Sequence, residues 1–191
     1  VYDVSKPSTT LTGVVHLSTV SSLGSIAGTT SDNPGNSDPT KISARTEKVE
    51  VTIQDVNGTN AGNYYDGAGG WGALTWIAAS TTAVTATSGT WTMGSVPVWE
   101  HNVRYWIVAR SSDLAGNLQN AFAVGVDSKS VTFDLSVATA DVTNFVLAGG
   151  TSYYNQYSLA GTSITGTALD APAGIATVEG AVSSNSGSDA A

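Results

Sequence analysis

The chain has no cysteine among its 191 residues, and only 12% of its residues are charged. Without cysteine the protein has neither disulfides nor thiolate-bound zinc, so a hydrophobic core must hold its fold together. An apolar fraction of 41% is sufficient for such a core. No stretch approaches the roughly 20 apolar residues needed to cross a bilayer as a helix, so the sequence predicts no membrane span.

Basic residues are also scarce. Lys and Arg number 7 against 15 Asp and Glu, which gives a formal net charge of −8, and no basic residue follows Lys129. Proteins that bind nucleic acid need clustered Lys and Arg to displace counterions from the phosphates. We therefore expect no nucleic-acid partner.

Side chains typical of catalytic sites are few. His16 and His101 are the only histidines, and neither lies in a recognised hydrolase, kinase or metalloprotease motif. Spacing alone does not exclude a pair of carboxylates of the glycosidase type, but it singles out no such pair among the scattered glutamates. The sequence therefore predicts a protein that is not an enzyme.

Glycine (21 residues) and a two-residue alternation of apolar and polar residues dominate the rest of the chain. Val49, Val51 and Ile53 form one face of a predicted strand. Further predicted strands lie at Val103–Arg110, Phe122–Val126, Val131–Leu135, Thr10–Leu17, Leu23–Thr30, Leu74–Ala78 and Trp91–Gly94. Seven or more short strands separated by turn residues predict an all-β, antiparallel β-sandwich.

The chain also contains an internal repeat. The matching pairs are Asp3-Val4-Ser5 with Asp134-Leu135-Ser136 (offset 131), Ile26–Asp32 with Ile164–Asp170 (offset 138) and Val49-Glu50 with Val178-Glu179 (offset 129). Matches in the same order at similar offsets indicate two copies of one unit whose loops differ in length. We therefore predict a complete module over residues 1–133 and the first strands of a second over residues 134–191.

Three strands are expected in the second copy, at Val142–Ala148, Ile164–Leu169 and Ile175–Val182. A three-stranded piece leaves an apolar face and its sheet edges uncovered, and such edges recruit strands from other chains. Two alternatives remain open. Either a neighbouring subunit completes the partial module and builds a fibre, or the 191 residues belong to a longer array.

The landmarks of the first copy form a set. They are Asp3–Ser8, Ile26–Asp32, Val49–Gln54, Trp76-Ile77, Trp91 followed by Val96-Pro97, and Tyr105–Arg110 leading into Ser112–Asn117. This set resembles the bacterial immunoglobulin-like repeats that are strung in arrays through secreted and cell-surface proteins. The resemblance covers most of residues 3–133. It implies an immunoglobulin-like fold, an extracellular or cell-surface location, and a spacer, adhesive or fibre-forming role without catalytic residues.

The aromatic residues allow a second interpretation. All five tryptophans lie between residues 71 and 106. A row of exposed aromatic rings would bind a surface glycan, and Trp71, Trp99 and Trp106 are the candidate ligand-binding residues. The alternative is that the rings fill the core, which we expect for Trp76 and Trp91. Trp106 alternates with Tyr105 and Ile107 and is expected to be partly exposed.

Calcium has two candidate positions. Asp55, Asn57, Thr59 and Asp66 approach the spacing of an EF-hand loop but lack its glycine at the sixth position and its final glutamate. Alternatively, Asp32, Asp38, Asp113, Asn117 and Asp134 would line a calcium site at a module junction. The competing interpretation is that these side chains cap turns by accepting backbone hydrogen bonds.

The sequence thus favours a non-enzymatic extracellular structural protein, a fibre subunit or a segment of a stalk or adhesin. Its modules would be joined by strand complementation, and its partners would be other copies or neighbouring modules of the same protein. The alternative is a carbohydrate-binding module. No cofactor is expected apart from structural calcium.

Overall fold

A computed structural model describes residues 3–32, 45–81, 88–143 and 164–180. These residues are all-β, so the predicted all-β, sandwich-like fold class is confirmed. The chain divides into two compact units, Val1–Leu135 (unit 1) and Ser136–Ala191 (unit 2), which we describe separately.

Unit 1 contains ten described strands. They are β1 (Ser8–Leu11), β2 (Ser18–Val20), β3 (Ile26–Ser31), β4 (Thr46–Asp55), β5 (Tyr64–Tyr65), β6 (Trp71–Gly72), β7 (Ile77–Thr81), β8 (Ser88–Met93), β9 (Arg104–Asp113) and β10 (Ser128–Phe133). Their order is β1-β3-β8-β7-β4-β9-β10-β2, with β5 on the edge of β4 and β6 beyond it.

The sheet curls at β7, because the two ends of this strand pair with different neighbours. Its first residues pair with β4, where Ile77 lies opposite Val51, and its last residues pair with β8, where Thr81 lies opposite Trp91. The ladders between strands are antiparallel except for β2 and β10, which run parallel. The sheet is therefore mixed rather than purely antiparallel as predicted.

Alternation in the two longest strands builds the centre of the core. Val49, Val51 and Ile53 of β4 are fully buried, as are Tyr105, Ile107 and Ala109 of β9. The two strands pair over almost their whole length, with Ile53 opposite Ile107. These two strands were predicted correctly because apolar residues recur at every second position along much of the buried face of each.

The predicted strand at Phe122–Val126 is wrong. Phe122, Val124 and Val126 are 43%, 61% and 45% exposed, and the segment forms a turn. Asp127 closes this turn, because its Oδ1 accepts a hydrogen bond from the Ala123 N–H at 2.7 Å. Gly125 supports the turn with a φ of +85°. The apolar alternation here reflects no pairing in a ladder.

Unit 2 has two described strands, β11 (Thr139–Val142) and β12 (Gly166–Leu169), which form an antiparallel pair. The strand expected at Ile164–Leu169 is present as β12. Of the strand expected at Val142–Ala148, Val142 is the last residue of β11, and residues 144–148 are outside the described ranges. Residues 175–180 of the third expected strand form no strand, and residues 181–182 are also outside those ranges.

Candidate functional sites

The pairing of β11 with β12 reproduces that of β1 with β3. Leu11 lies opposite Gly28, and Val142 lies opposite Gly166. These positions are separated by 131 residues in the first strand and 138 in the second, the two offsets found in the sequence repeat. All four residue pairs of each ladder match at these offsets.

Hydrogen bonds beyond the ladder repeat as well. The Thr12 N–H donates to the Ala27 carbonyl at 2.9 Å, and at the same offsets the Thr143 N–H donates to the Thr165 carbonyl at 2.9 Å. The Ser5 hydroxyl lies 3.4 Å from Asp32 Oδ1. Its counterpart, the Ser136 hydroxyl, donates to Asp170 Oδ1 at 2.9 Å. Two of the three sequence landmarks therefore carry a shared geometry.

The third landmark does not. Val49-Glu50 lies in β4, whereas Val178-Glu179 lies in no strand and is exposed. The hairpin is thus the repeated element that the described residues establish.

Gly28 shows why a glycine recurs in the hairpin. A Cβ atom at this position would lie 1.8 Å from the Thr10 carbonyl oxygen and 2.5 Å from Cζ2 of Trp91. The Trp91 ring of β8 lies against this glycine, is 1% exposed, and donates its indole N–H to the Thr29 carbonyl at 3.2 Å. Gly166 makes the equivalent close approach to β11, since a Cβ there would lie 2.2 Å from the Asp141 carbonyl oxygen.

The structure separates the three tryptophans proposed as ligand-binding residues. Trp99 stacks on Phe133 at 4.2 Å between ring centroids, and its indole N–H donates to the Leu23 carbonyl at 2.8 Å. Trp71 stacks on Tyr105 at 6.0 Å and lines an open groove of about 570 Å³. Trp106 lies on the face of β9 opposite to that of the buried Tyr105. Trp71 and Trp99 thus pack toward the core side, and Trp106 alone remains on the outer face.

The outer face of β5, β4 and β9 carries a different aromatic group. Tyr64 and Trp106 lie on either side of Gln54 in one cross-strand row. With Leu74, Trp76 and Phe122 they line a groove of about 260 Å³, which we call the outer aromatic groove. Sequence reasoning expected Trp76 in the core, but it stacks on Phe122 at 6.2 Å. Its position follows from the register, because Ile77 is the residue opposite the buried Val51.

An ion pair borders this groove. The Arg110 guanidinium donates to Glu50 at 2.7 Å through Nη2 and lies 3.9 Å from the centre of the Trp76 ring. Burial raises the pKa of Glu50, but hydrogen bonds from Lys48 and Arg110 outweigh it and hold that pKa below its usual value. The guanidinium is thereby oriented over the tryptophan, a favourable cation–π geometry.

The first predicted calcium loop is organised by backbone hydrogen bonds. Asp55 is fully buried, and its carboxylate accepts bonds from the N–H groups of Asn57, Gly58 and Asn60 at 3.1, 2.6 and 2.9 Å. Asp66 Oδ1 likewise accepts from two backbone N–H groups, which lowers its pKa. These oxygens point at backbone donors, as expected for turn capping.

The second predicted calcium position brings some of its residues together. Carboxylate oxygens of Asp3, Asp32 and Asp113 lie within 4.8 Å of one another, and the last two residues are fully buried. Asn117 contributes its amide N–H₂ to Asp113 Oδ2 at 2.8 Å. Asp134 lies near His101, 3.3 Å from Nδ1. Asp38 is outside the described residues. Calcium binding here stays a prediction.

The sequence did not indicate that the polar groups of Lys129 and Tyr105 are buried. The Lys129 ammonium is 9% exposed and donates to the Leu11 and Val14 carbonyls at 2.5 and 2.7 Å. Tyr105 is fully buried, and burial raises its pKa to about 12. His16, by contrast, uses Nδ1 to accept a bond from the Ser130 N–H at 3.1 Å. The contacts of Lys129 and His16 connect β10 with β1 and with the segment that follows β1.

No family model matches the chain, and no curated protein matches it significantly. The resemblance to bacterial immunoglobulin-like repeats therefore stays a prediction. Within the described ranges, no helix has the length and apolarity to span a membrane.

Proposed function

We propose that the protein is a non-enzymatic, extracellular structural protein built from tandem β-sandwich modules, as in a filament, stalk or adhesin. The observation that carries this proposal is the repeated hairpin. Unit 2 reproduces four residue pairs and two further hydrogen bonds of unit 1 at the offsets of the sequence repeat. A chain that repeats one of its structural elements in this way is typical of arrays.

The path of the chain through unit 1 supports the same function. The chain enters beside Asn117, whose amide N–H₂ donates to the Asp3 carbonyl at 3.2 Å. It leaves at the other end of β9, where the Asn102 N–H donates to the Phe133 carbonyl at 2.8 Å. The ten residues of β9 between these points span roughly 30 Å. Entry and exit at opposite ends are what a module in a series requires.

The first and last strands of unit 1 are also suited to tension. β1 runs from Ser8 beside Ser31 toward Leu11 beside Lys129, and β10 runs in the same direction toward the exit. Pulling the two ends apart would therefore slide both strands along their neighbours. Several hydrogen bonds then carry the load together, which resists separation better than breaking them one at a time.

Two measurements on native material test this function. Antibodies raised against unit 1 should label the outside of intact, unpermeabilised cells, and negative-stain images of the labelled material should show filaments or stalks. Label found only after cells are permeabilised would contradict the proposal. Hydrolytic or transferase activity that purified protein shows, and that a denatured control lacks, would contradict its non-enzymatic part.

A second candidate function, carbohydrate binding, is favoured by the outer aromatic groove. Trp106 and Tyr64 are half-buried and lie about two strand spacings apart, roughly 10 Å, with the Gln54 amide between them. On this face Ser130 lies opposite Trp106 and Thr52 lies opposite Val108. Each has a buried hydroxyl without a hydrogen-bond partner in the described part of the chain. Aromatic rings interleaved with polar groups suit a sugar chain.

The test is a fluorescence titration with cellohexaose and chitohexaose. Binding should be lost in Trp106→Ala and retained in Trp106→Phe, which preserves an aromatic surface. Val98→Ala serves as a control at a residue that is 91% exposed and lies outside the groove. Absence of binding to wild-type protein would reject this candidate and leave the structural proposal intact.

A further inference from the structure

The edge of β12 that faces away from β11 is unpaired among the described residues. In an antiparallel ladder, hydrogen-bonded pairs alternate with non-hydrogen-bonded pairs. The bond from the Thr143 N–H to the Thr165 carbonyl sets this alternation, so the backbone groups of Gly166 and Ala168 point away from β11. Their counterparts in unit 1, Gly28 and Thr30, point the same groups at β8.

The side chains of the hairpin are also less buried in unit 2 than in unit 1. Gly28 and Thr30 are buried, whereas Gly166 and Ala168 are exposed. Leu11 is 3% exposed and its counterpart Val142 is 50% exposed. Among the described residues, the hairpin of unit 2 therefore has the backbone geometry of β1 and β3 without the packing that β8 and the core supply in unit 1.

The glycine shared by the two hairpins, Gly28 in unit 1 and Gly166 in unit 2, indicates which side chain fits on the outer edge of β12. Two of the three atoms nearest to a Cβ on Gly28 belong to the Trp91 ring of β8. At Gly166 the three nearest atoms are all backbone atoms of β11. Unit 2 thus keeps the glycine that leaves room for an indole ring, but β11 alone makes its close contacts.

We propose that the edge of β12 that faces away from β11 accepts a strand of β8 chemistry from another copy of the repeat. The strand binds antiparallel, in the register that β8 adopts on β3, with its tryptophan against Gly166. Unit 1 displays this occupant in place, as Ser88–Met93 paired with Ile26–Ser31. The inference rests on the proposed array function and names the segment through which modules join.

The test measures, by fluorescence anisotropy, the binding of a fluorescein-labelled peptide of residues Ser88–Ser95 to the full chain. We expect saturable binding of the wild-type peptide. A peptide with Trp91→Ala should bind at least tenfold more weakly, since it lacks the ring that packs on the glycine. Both peptides are tested against the same wild-type chain, so a difference in their binding cannot come from a change in the folding of that chain.

A chain variant tests the position on β12. Ala168→Pro removes an N–H group from the edge of β12 that faces away from β11 and removes no hydrogen bond to β11, so peptide binding should weaken at least fivefold. Ala176→Pro is the matched control, because Ala176 is exposed and lies outside the strands; it should bind the peptide as wild type does. Circular dichroism establishes that both variants keep their β-structure.

Three results would overturn the inference: no saturable binding, equal binding of the Trp91→Ala peptide, or undiminished binding to Ala168→Pro. The last result would place the peptide on another surface. None of these would by itself contradict the array function, which cell-surface labelling and imaging test independently.

Discussion

Replacing Gly28 with alanine tests whether the close approach of three strands holds unit 1 together. The new Cβ would lie 1.8 Å from the Thr10 carbonyl oxygen, whereas real Cβ contacts stay beyond 3.0 Å. The backbone of β1 would have to shift by about 1.2 Å, and the Trp91 ring would also have to move. Since β1 is held by a four-residue ladder, we expect a cost near the upper end of overpacking, about 3 kcal/mol.

Urea unfolding followed by tryptophan fluorescence measures this cost. The signal reports on unit 1, because all five tryptophans lie in it. A loss of about 3 kcal/mol corresponds to a fall in melting temperature on the order of 10 °C. Gly94→Ala is the matched control, since a Cβ there has no atom within 4 Å; its free energy of unfolding should stay within about 0.5 kcal/mol of wild type. Equal stability of the two variants would refute the reasoning.

Three further predictions concern stability. Lys129→Met should lower the free energy of unfolding by about 3 kcal/mol, because two buried carbonyls lose a charged donor and the relief of charge burial only partly offsets this; unchanged stability would show that the ammonium contributes nothing. The lowered pKa of Glu50 means that its stabilising contribution is present above the unfolded value of 4.5 and disappears as the pH falls through the folded pKa. Glu50→Gln should therefore flatten the acid side of the stability-against-pH curve, and an identical curve would contradict this. Asp55→Ala should lower the free energy of unfolding, measured in thermal melts, by about 3 kcal/mol, because three backbone N–H groups lose their acceptor. Asp55→Asn should cost less because it retains one oxygen. A larger loss of stability for Asp55→Asn would argue against capping.

Alternation predicted the parts of the fold in which one face of a strand is wholly buried. Strands β4 and β9 satisfy that condition, so their faces could be assigned from the sequence, including the outward position of Trp106. The pattern failed at Phe122–Val126, where a turn capped by Asp127 produces the same spacing without a ladder. It also missed β2, which is three residues long and largely polar.

The candidate sites were predictable only where backbone geometry restricts the residue. Gly28 and Gly166 carry the repeat because a side chain would collide with the neighbouring strand. Trp71 and Trp99 lie toward the core side and Trp106 on the outer face, a separation that the sequence did not indicate because proximity in sequence says nothing about the face of a sheet. Trp99 lies in an irregular segment, where no period indicates which way its ring points.

The buried ammonium of Lys129 also bears on how the chain withstands proteolysis. Trypsin-like proteases cut after Lys or Arg and must take that side chain into a deep pocket. Residues 130–191 contain neither residue, and Lys129 itself is held by two carbonyls beneath the surface. Unit 2 therefore offers such enzymes no bond to cut, even where its backbone is exposed.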